Sequence, residues 1–192
     1  MVRTLLALIV LLPLWLYSQE ENLVRDGLLR AQGTFSFGKF SDIEQNGLYI
    51  HGNLEYYVNE KISARGDLFY YLKPNNESIL ELNHQLFSGG SYHIPTNSNF
   101  NPYIGFQPGL SITELSAPVY ILPVGVPPPT PRASVSPLIS GVLGFNYYAN
   151  DWFHLFADMR YVYGNHLSNI APEVSLNEIR FSFGLGFNIN TK

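Results

Sequence analysis

One stretch of this 192-residue chain carries residue types suited to covalent chemistry. His166-Leu167-Ser168-Asn169 places an imidazole and a hydroxyl close together, and Glu178 follows with a carboxylate. Nucleophilic acyl-transfer sites are assembled from these three groups. Glu173 offers a second carboxylate in the same stretch. Other chemistries have less to work with. Cysteine is absent, which removes thiol nucleophiles, thiolate metal sites and disulfides. His51, His84, His93, His154 and His166 are scattered and do not fall into metal-ligand spacing, so neither a metal nor a cofactor is expected. Gly184 and Gly186 lie inside an alternating segment and read as packing glycines rather than a phosphate loop.

The elements that would have to position such groups announce themselves through charge. Arg30, Glu55, Arg65, Asp67, Glu81, Asp158, Arg160, Glu178 and Arg180 all fall on one side of a two-residue alternation. Phe35, Phe37, Leu48, Ile50, Leu68, Tyr70, Leu143, Phe181, Phe183 and Leu185 are among the residues of the opposite parity. Successive side chains of a β-strand point to opposite faces, so one face is apolar and the other charged. A soluble barrel turns its apolar face inward. A membrane barrel turns it to lipid and keeps its charges in a narrow lumen. Composition agrees: charged residues make up 14% and aromatics 15%, against about 25% charged in ordinary soluble domains. Net charge is −4 with no basic run, so no nucleic-acid partner is expected.

Arg3 followed by an apolar core over 5–16 reads as a secretory signal peptide, too short to span a bilayer as a helix. Ser18 precedes the expected cut, giving a signal peptide over 1–18, a short periplasmic tether over 19–29 and a barrel domain over 30–192. Eight alternating segments follow, near 30–40, 48–58, 62–72, 79–94, 102–113, 138–149, 153–163 and 178–189, with a bend or bulge expected at Gly89-Gly90. Each is close to the roughly 9–11 residues a tilted membrane strand needs. The fold class expected is therefore all-β: an eight-stranded antiparallel up-and-down transmembrane β-barrel, a monomer. Tight turns at 59–61 and 150–152 and a moderate one at 95–101 alternate with longer links, as periplasmic turns alternate with outer loops. Tyr56, Tyr92, Tyr147, Phe153 and Phe187 then fall at the inner rim, with Phe37, Tyr70 and Tyr161 at the outer one. His84 is the awkward residue, facing lipid either near a local bulge or in its neutral form.

From residue 30 to 189 the chain resembles the small eight-stranded OmpA/OmpX-type outer-membrane barrels. Its last strand, Ser182-Phe183-Gly184-Leu185-Gly186-Phe187-Asn188-Ile189, looks like that family's assembly signal, carried by Ser182, Gly184, Phe187 and Ile189. The resemblance implies residence in the cell outer membrane, contact with its lipid and lipopolysaccharide, and insertion by the outer-membrane assembly machinery. It departs at the end, where Asn190-Thr191-Lys192 overhang the signal.

An eight-stranded barrel has an interior just wide enough for side chains to fill. Glu55, Arg65, Asp67, Glu81, Asp158, Arg160 and Arg180 are expected to form a charge network there, with Tyr49, His51, Asn53, Tyr57, Phe69, Tyr71, Gln85, Tyr103 and Gln107. A gated ion path is one reading of it, a salt-bridge network locking the barrel is the other, and the second is preferred. The 114–137 loop, rich in proline and unusually apolar, is the place for an extracellular partner or for closure of the mouth. A structural or surface-interaction role through the outer loops, without an open pore, is the function expected. The alternative is enzymatic. His166, Ser168 and Glu178 resemble the His-x-Ser-Asn…Glu arrangement of outer-membrane lipid A deacylases, where the histidine is the base, the serine the nucleophile and the acid orients the histidine. Three departures count against it: the glycine-rich stretch is missing, the serine-to-acid spacing is short, and strand parity turns His166 and Glu178 into the lumen.

Overall fold

The computed structural model describes residues 24–74, 78–96, 98–116, 133–167 and 173–191. The strands among them are β1 (Leu28–Phe40), β2 (Asn46–Tyr57), β3 (Ile62–Leu72), β4 (Leu80–His93), β5 (Phe100–Leu115), β6 (Ser134–Tyr148), β7 (Phe153–His166), a two-residue β8 (Val174–Ser175) and β9 (Glu178–Asn190). Each long strand pairs antiparallel with the next, and β9 pairs with both β7 and β1. Eight strands thus close into a barrel, while β8 lies outside this ring and pairs only with Asn165 and His166 at the end of β7. Closure matters in lipid, where no water is available to satisfy an open sheet edge.

The turns show why the chain reverses where it does. Asn59 Oδ1 accepts from the backbone N–H groups of Lys61 and Ile62, both at 2.9 Å. Asn150 Oδ1 does the same for Trp152 and Phe153, at 3.1 and 2.9 Å. These side chains mimic a backbone turn, which fixes the reversal locally. The two turns share one end of the barrel with the 94–99 link and with the described chain ends, hereafter the turn end. The strand ends that flank 41–45, 73–79, 116–133 and 167–177 share the other, the loop end.

Several boundaries differ from the sequence expectation. β1 starts two residues early, taking Leu28 and Leu29 out of the tether, and Gly27, at φ 82°, makes the bend that leads into it. Residues 1–23, which hold the expected signal peptide, lie outside the described residues. The 114–137 loop is shorter than expected, because β5 runs to Leu115 and β6 begins at Ser134, with Thr113 opposite Ser134 and Leu110 opposite Pro137. What remains of it, 117–132, lies outside the described residues. Pro137, which has no N–H to give a ladder, lies one residue beyond the last β6–β7 ladder pair, Leu138 and Gly164.

The expected bulge at Gly89-Gly90 is not there. The β4–β5 register is the same on both sides of those glycines and shifts instead between Leu80 and Leu82. Gly89 serves close approach: a Cβ there would lie 2.2 Å from the carbonyl oxygen of Phe106. The displaced bulge has a consequence for charge. Leu80 and Asn83 both face the lumen, so parity changes between them and Glu81 is turned outward. Glu81 does not belong to the lumen network; it pairs on the exterior with Lys73.

Outside the barrel, Phe35, Ile50, Leu54, Leu68, Leu143 and Phe183 are all about half or more exposed. Side chains of this size each lose about 1.5–3 kcal/mol when left in water. An exterior built from them requires lipid.

Candidate functional site

The other eight charges of the alternation are all inside, each 5% exposed or less. They comprise four arginines and four carboxylates, and they sort along the barrel into three tiers that each balance their own charge. At the turn end Arg30 pairs with Glu55. Glu55 also meets the Ser63 hydroxyl and, at 3.0 Å, His93 Nε2. His93 Nδ1 contacts the Tyr57 hydroxyl at 3.1 Å and Asn101 Oδ1 at 2.8 Å. Below this tier Leu28, Tyr57 and Tyr148 pack together, with Val24 against them.

The middle tier is organised by Asp67. Its two oxygens accept from Arg65 Nε and Nη2, each at 2.9 Å, and Arg160 Nη2 forms an ion pair with it at 3.0 Å without a hydrogen bond. His51, Asn53 and Gln107 complete its shell at 2.8, 3.2 and 2.7 Å. Asp158 takes Arg65 Nη2 at 3.2 Å, and Tyr103 lies between them. Arg160 donates onward to Gln107 Oε1 and Ser140 Oγ. A carboxylate held by two guanidinium groups and three further donors repays much of the desolvation that burial imposes.

At the loop end Glu178 accepts from Arg180 Nε at 2.9 Å and from the Tyr49 hydroxyl at 2.8 Å. Arg180 also donates to Gln85 Oε1 at 2.7 Å, and Asn83 links Tyr49, Gln85 and Ser111. Phe69 separates the upper two tiers, with the Arg160 and Arg180 guanidinium carbons 5.0 and 4.7 Å from its ring centre. Above lies an apolar cap of Phe40, Tyr71, Leu80, Leu115, Leu138 and Leu176. Leu176 is fully buried although it belongs to the link after β8, which folds back into the mouth.

Glu178, a member of the sequence alternation and a candidate acid, is the anion of the upper tier. His93, Asn101, Asn83 and Ser63 were missed as lumen residues. Their strands' own parity would have found them, since His93 and Asn83 share it with Gln85.

No family model matches the chain, and no curated protein matches it in sequence. Solved structures do match in shape. The outer membrane protein OprG of Pseudomonas aeruginosa superposes with a TM-score of 0.60 at 15% identity, over 87% of this chain and 98% of OprG. Neisserial surface protein A gives 0.59 at 16% identity, over 85% and 96% of the two chains. Ail of Yersinia pestis, in complex with the heparin analogue sucrose octasulfate, gives 0.51 at 13% identity, over 85% and 99%. The fold is that of a small eight-stranded outer-membrane barrel.

In such a barrel the turn end is periplasmic and the loop end extracellular. Tyr56, Tyr92, Phe100, Trp152 and Phe187 ring the periplasmic rim, with Trp152 stacked against Phe187. Phe37, Tyr70, Tyr161 and Tyr163 ring the extracellular one. On the closing strand Ser182 and Gly184 turn inward while Phe187 and Ile189 face lipid. The extracellular links brace one another. Asp42 binds Ser175 and Asn177, and Gln45 reaches Tyr71, Ile79 and Leu80.

Of the three candidate triad residues, His166 and Glu178 are described. His166 points inward and its Nδ1 meets Thr113 Oγ1 at 2.7 Å and Ser134 Oγ at 3.1 Å. Glu178 is engaged by Arg180 and Tyr49 in the tier below the cap. Ser168 lies outside the described residues. Among the described residues no group of three His, Asp or Glu is placed to hold a metal ion.

Proposed function

We propose that this barrel does not conduct and that its function is carried by its extracellular face. The observation behind this reading is the lumen: three neutral tiers fill it, with packed apolar residues beyond them at both ends. Ion flow would need a guanidinium to leave its carboxylate inside the barrel, at a cost of about 3–5 kcal/mol per broken pair. The extracellular links, braced through Asp42 and Gln45, then serve as a platform.

Charge narrows the class of partner. Asp42, Glu44, Glu81, Glu114 and Glu173 stand against Lys39 and Lys73 on the described part of this rim. Ail was solved with a sulfated sugar analogue; an acidic rim suits a neutral or basic partner instead. The apolar, proline-rich sequence within 114–137 is the contact segment in this reading, and lipopolysaccharide surrounds the wall. Ser182, Gly184, Phe187 and Ile189 are proposed as the signal read by the assembly machinery. The second reading, acyl transfer by His166, Ser168 and Glu178, is less favoured because Glu178 is engaged by Arg180 and Tyr49, and His166 Nδ1 by Thr113 and Ser134.

The test is current across planar bilayers containing the folded barrel. No steady conducting steps are expected. Sustained steps that persist in protein refolded to a single gel species would overturn the reading.

A further inference from the structure

The seam between β3 and β4 is unlike the complete β1–β2 and β2–β3 ladders. Its backbone pairing runs from Ile62 and Tyr92 to Phe69 and Gln85 and stops there, although β3 continues to Leu72 and β4 begins at Leu80. The β4–β5 register shift between Leu80 and Leu82 falls in this same outer stretch. Side chains hold it instead. Gln45 accepts from the Ile79 and Leu80 amides and donates to the Tyr71 hydroxyl, and Lys73 pairs with Glu81. Deepest in the seam, His84 Nδ1 accepts the Tyr71 backbone N–H at 3.0 Å, with its ring stacked on Tyr70 at 4.2 Å. His84 takes the place of a missing ladder carbonyl.

We infer that His84 is an acid-released latch on the outer β3–β4 seam. A neutral imidazole has one accepting nitrogen, and a protonated one has none. The backbone N–H of Tyr71 can only donate, so protonation of Nδ1 must break this contact. The other four histidines differ. His51 and His93 face the carboxylates of Asp67 and Glu55, which accept from a protonated ring. His166 faces the hydroxyls of Thr113 and Ser134, which can reverse their roles. His154 contacts the amides of Gln32 and Asn188; Asn188 Oδ1 accepts, and the Gln32 amide can turn over. Only His84 has a partner fixed as a donor.

The groups packed around it do not replace the lost bond. Tyr70 and Tyr71 lie beside it on β3, and Ile112 is its β5 neighbour. The charged groups of these elements near the seam are Lys73 and Glu81, paired with each other, and Glu114, opposite Leu82. Acidification of the medium therefore loosens the outer ends of β3 and β4, where Tyr71 and Leu80 contribute to the apolar cap.

The experiment is NMR of the folded barrel in lipid nanodiscs, following the His84 ring nitrogens and the protection factor of the Tyr71 amide from about pH 8 to pH 5. At the upper end His84 should carry its proton on Nε2 and the Tyr71 amide should be protected. Protection should fall on the order of ten-fold as the ring protonates. His84→Phe, which keeps an aromatic ring on Tyr70 but has no acceptor, should leave the amide exposed at every pH. The inference is overturned if protection stays constant while the ring titrates, if the ring does not titrate, or if Nδ1 carries the proton while the amide is protected. The wild-type titration decides the matter even if His84→Phe does not fold.

Discussion

The two ends of the lumen are closed by different physics. At the periplasmic end, strand residues do the work: Arg30, Glu55, His93 and Tyr57 knit a polar tier, with Leu28 and Tyr148 packed beneath it. At the extracellular end the cap is apolar and borrows from the links, through Leu176 and the partly buried Ile43 and Val174. Two of the periplasmic turns are short, and strand side chains, with Val24 from the segment before β1, fill the opening. The extracellular links are long enough to fold back. A change at the polar end should therefore disturb the whole barrel, and a change in the cap should stay local.

The strongest way to break that contrast lies just above the polar end. Asp67→Ala leaves Arg65 and Arg160 without their shared carboxylate, and a loss of about 3–5 kcal/mol is expected. Urea unfolding in detergent, followed by gel mobility of unboiled protein, would measure it. A smaller loss is expected from Arg30→Met combined with Glu55→Leu, because removing both charges leaves neither stranded. The double variant should unfold at higher urea than Glu55→Leu alone. Next comes the cap: Leu176→Ala should lose less than the roughly 2–5 kcal/mol of a core leucine, since its link can collapse into the space. Hydrogen exchange should quicken near residues 174–177 while the middle tier stays protected. Smallest of all, Glu81→Gln should leave the unfolding midpoint unchanged, because its pair with Lys73 is on the exposed exterior.

The same contrast explains what could be read from residues alone. Alternation located eight of nine charges correctly because parity is rigid within a strand, as between Arg65 and Asp67 or Asp158 and Arg160. It failed at Glu81, where one bulge reverses the faces and no glycine or proline marks the spot. Of the glycine pair that suggests a bulge, Gly89 instead allows close backbone approach to Phe106. Leu176 and Gln45 were illegible for another reason. They act from links, where no period relates a residue to a face. The barrel was thus readable from its strands, whereas its outer closure depends on contacts between distant links.

The most direct test of a filled lumen uses the absence of native cysteine. Ser140 faces the middle tier, where it accepts from Arg160 at 2.8 Å and is 1% exposed. Ser140→Cys in the membrane-inserted barrel would be treated with a small, charged, membrane-impermeant thiol reagent from either side. A closed lumen predicts labelling only after unfolding. Rapid labelling of the folded barrel would show an open aqueous path and contradict the account.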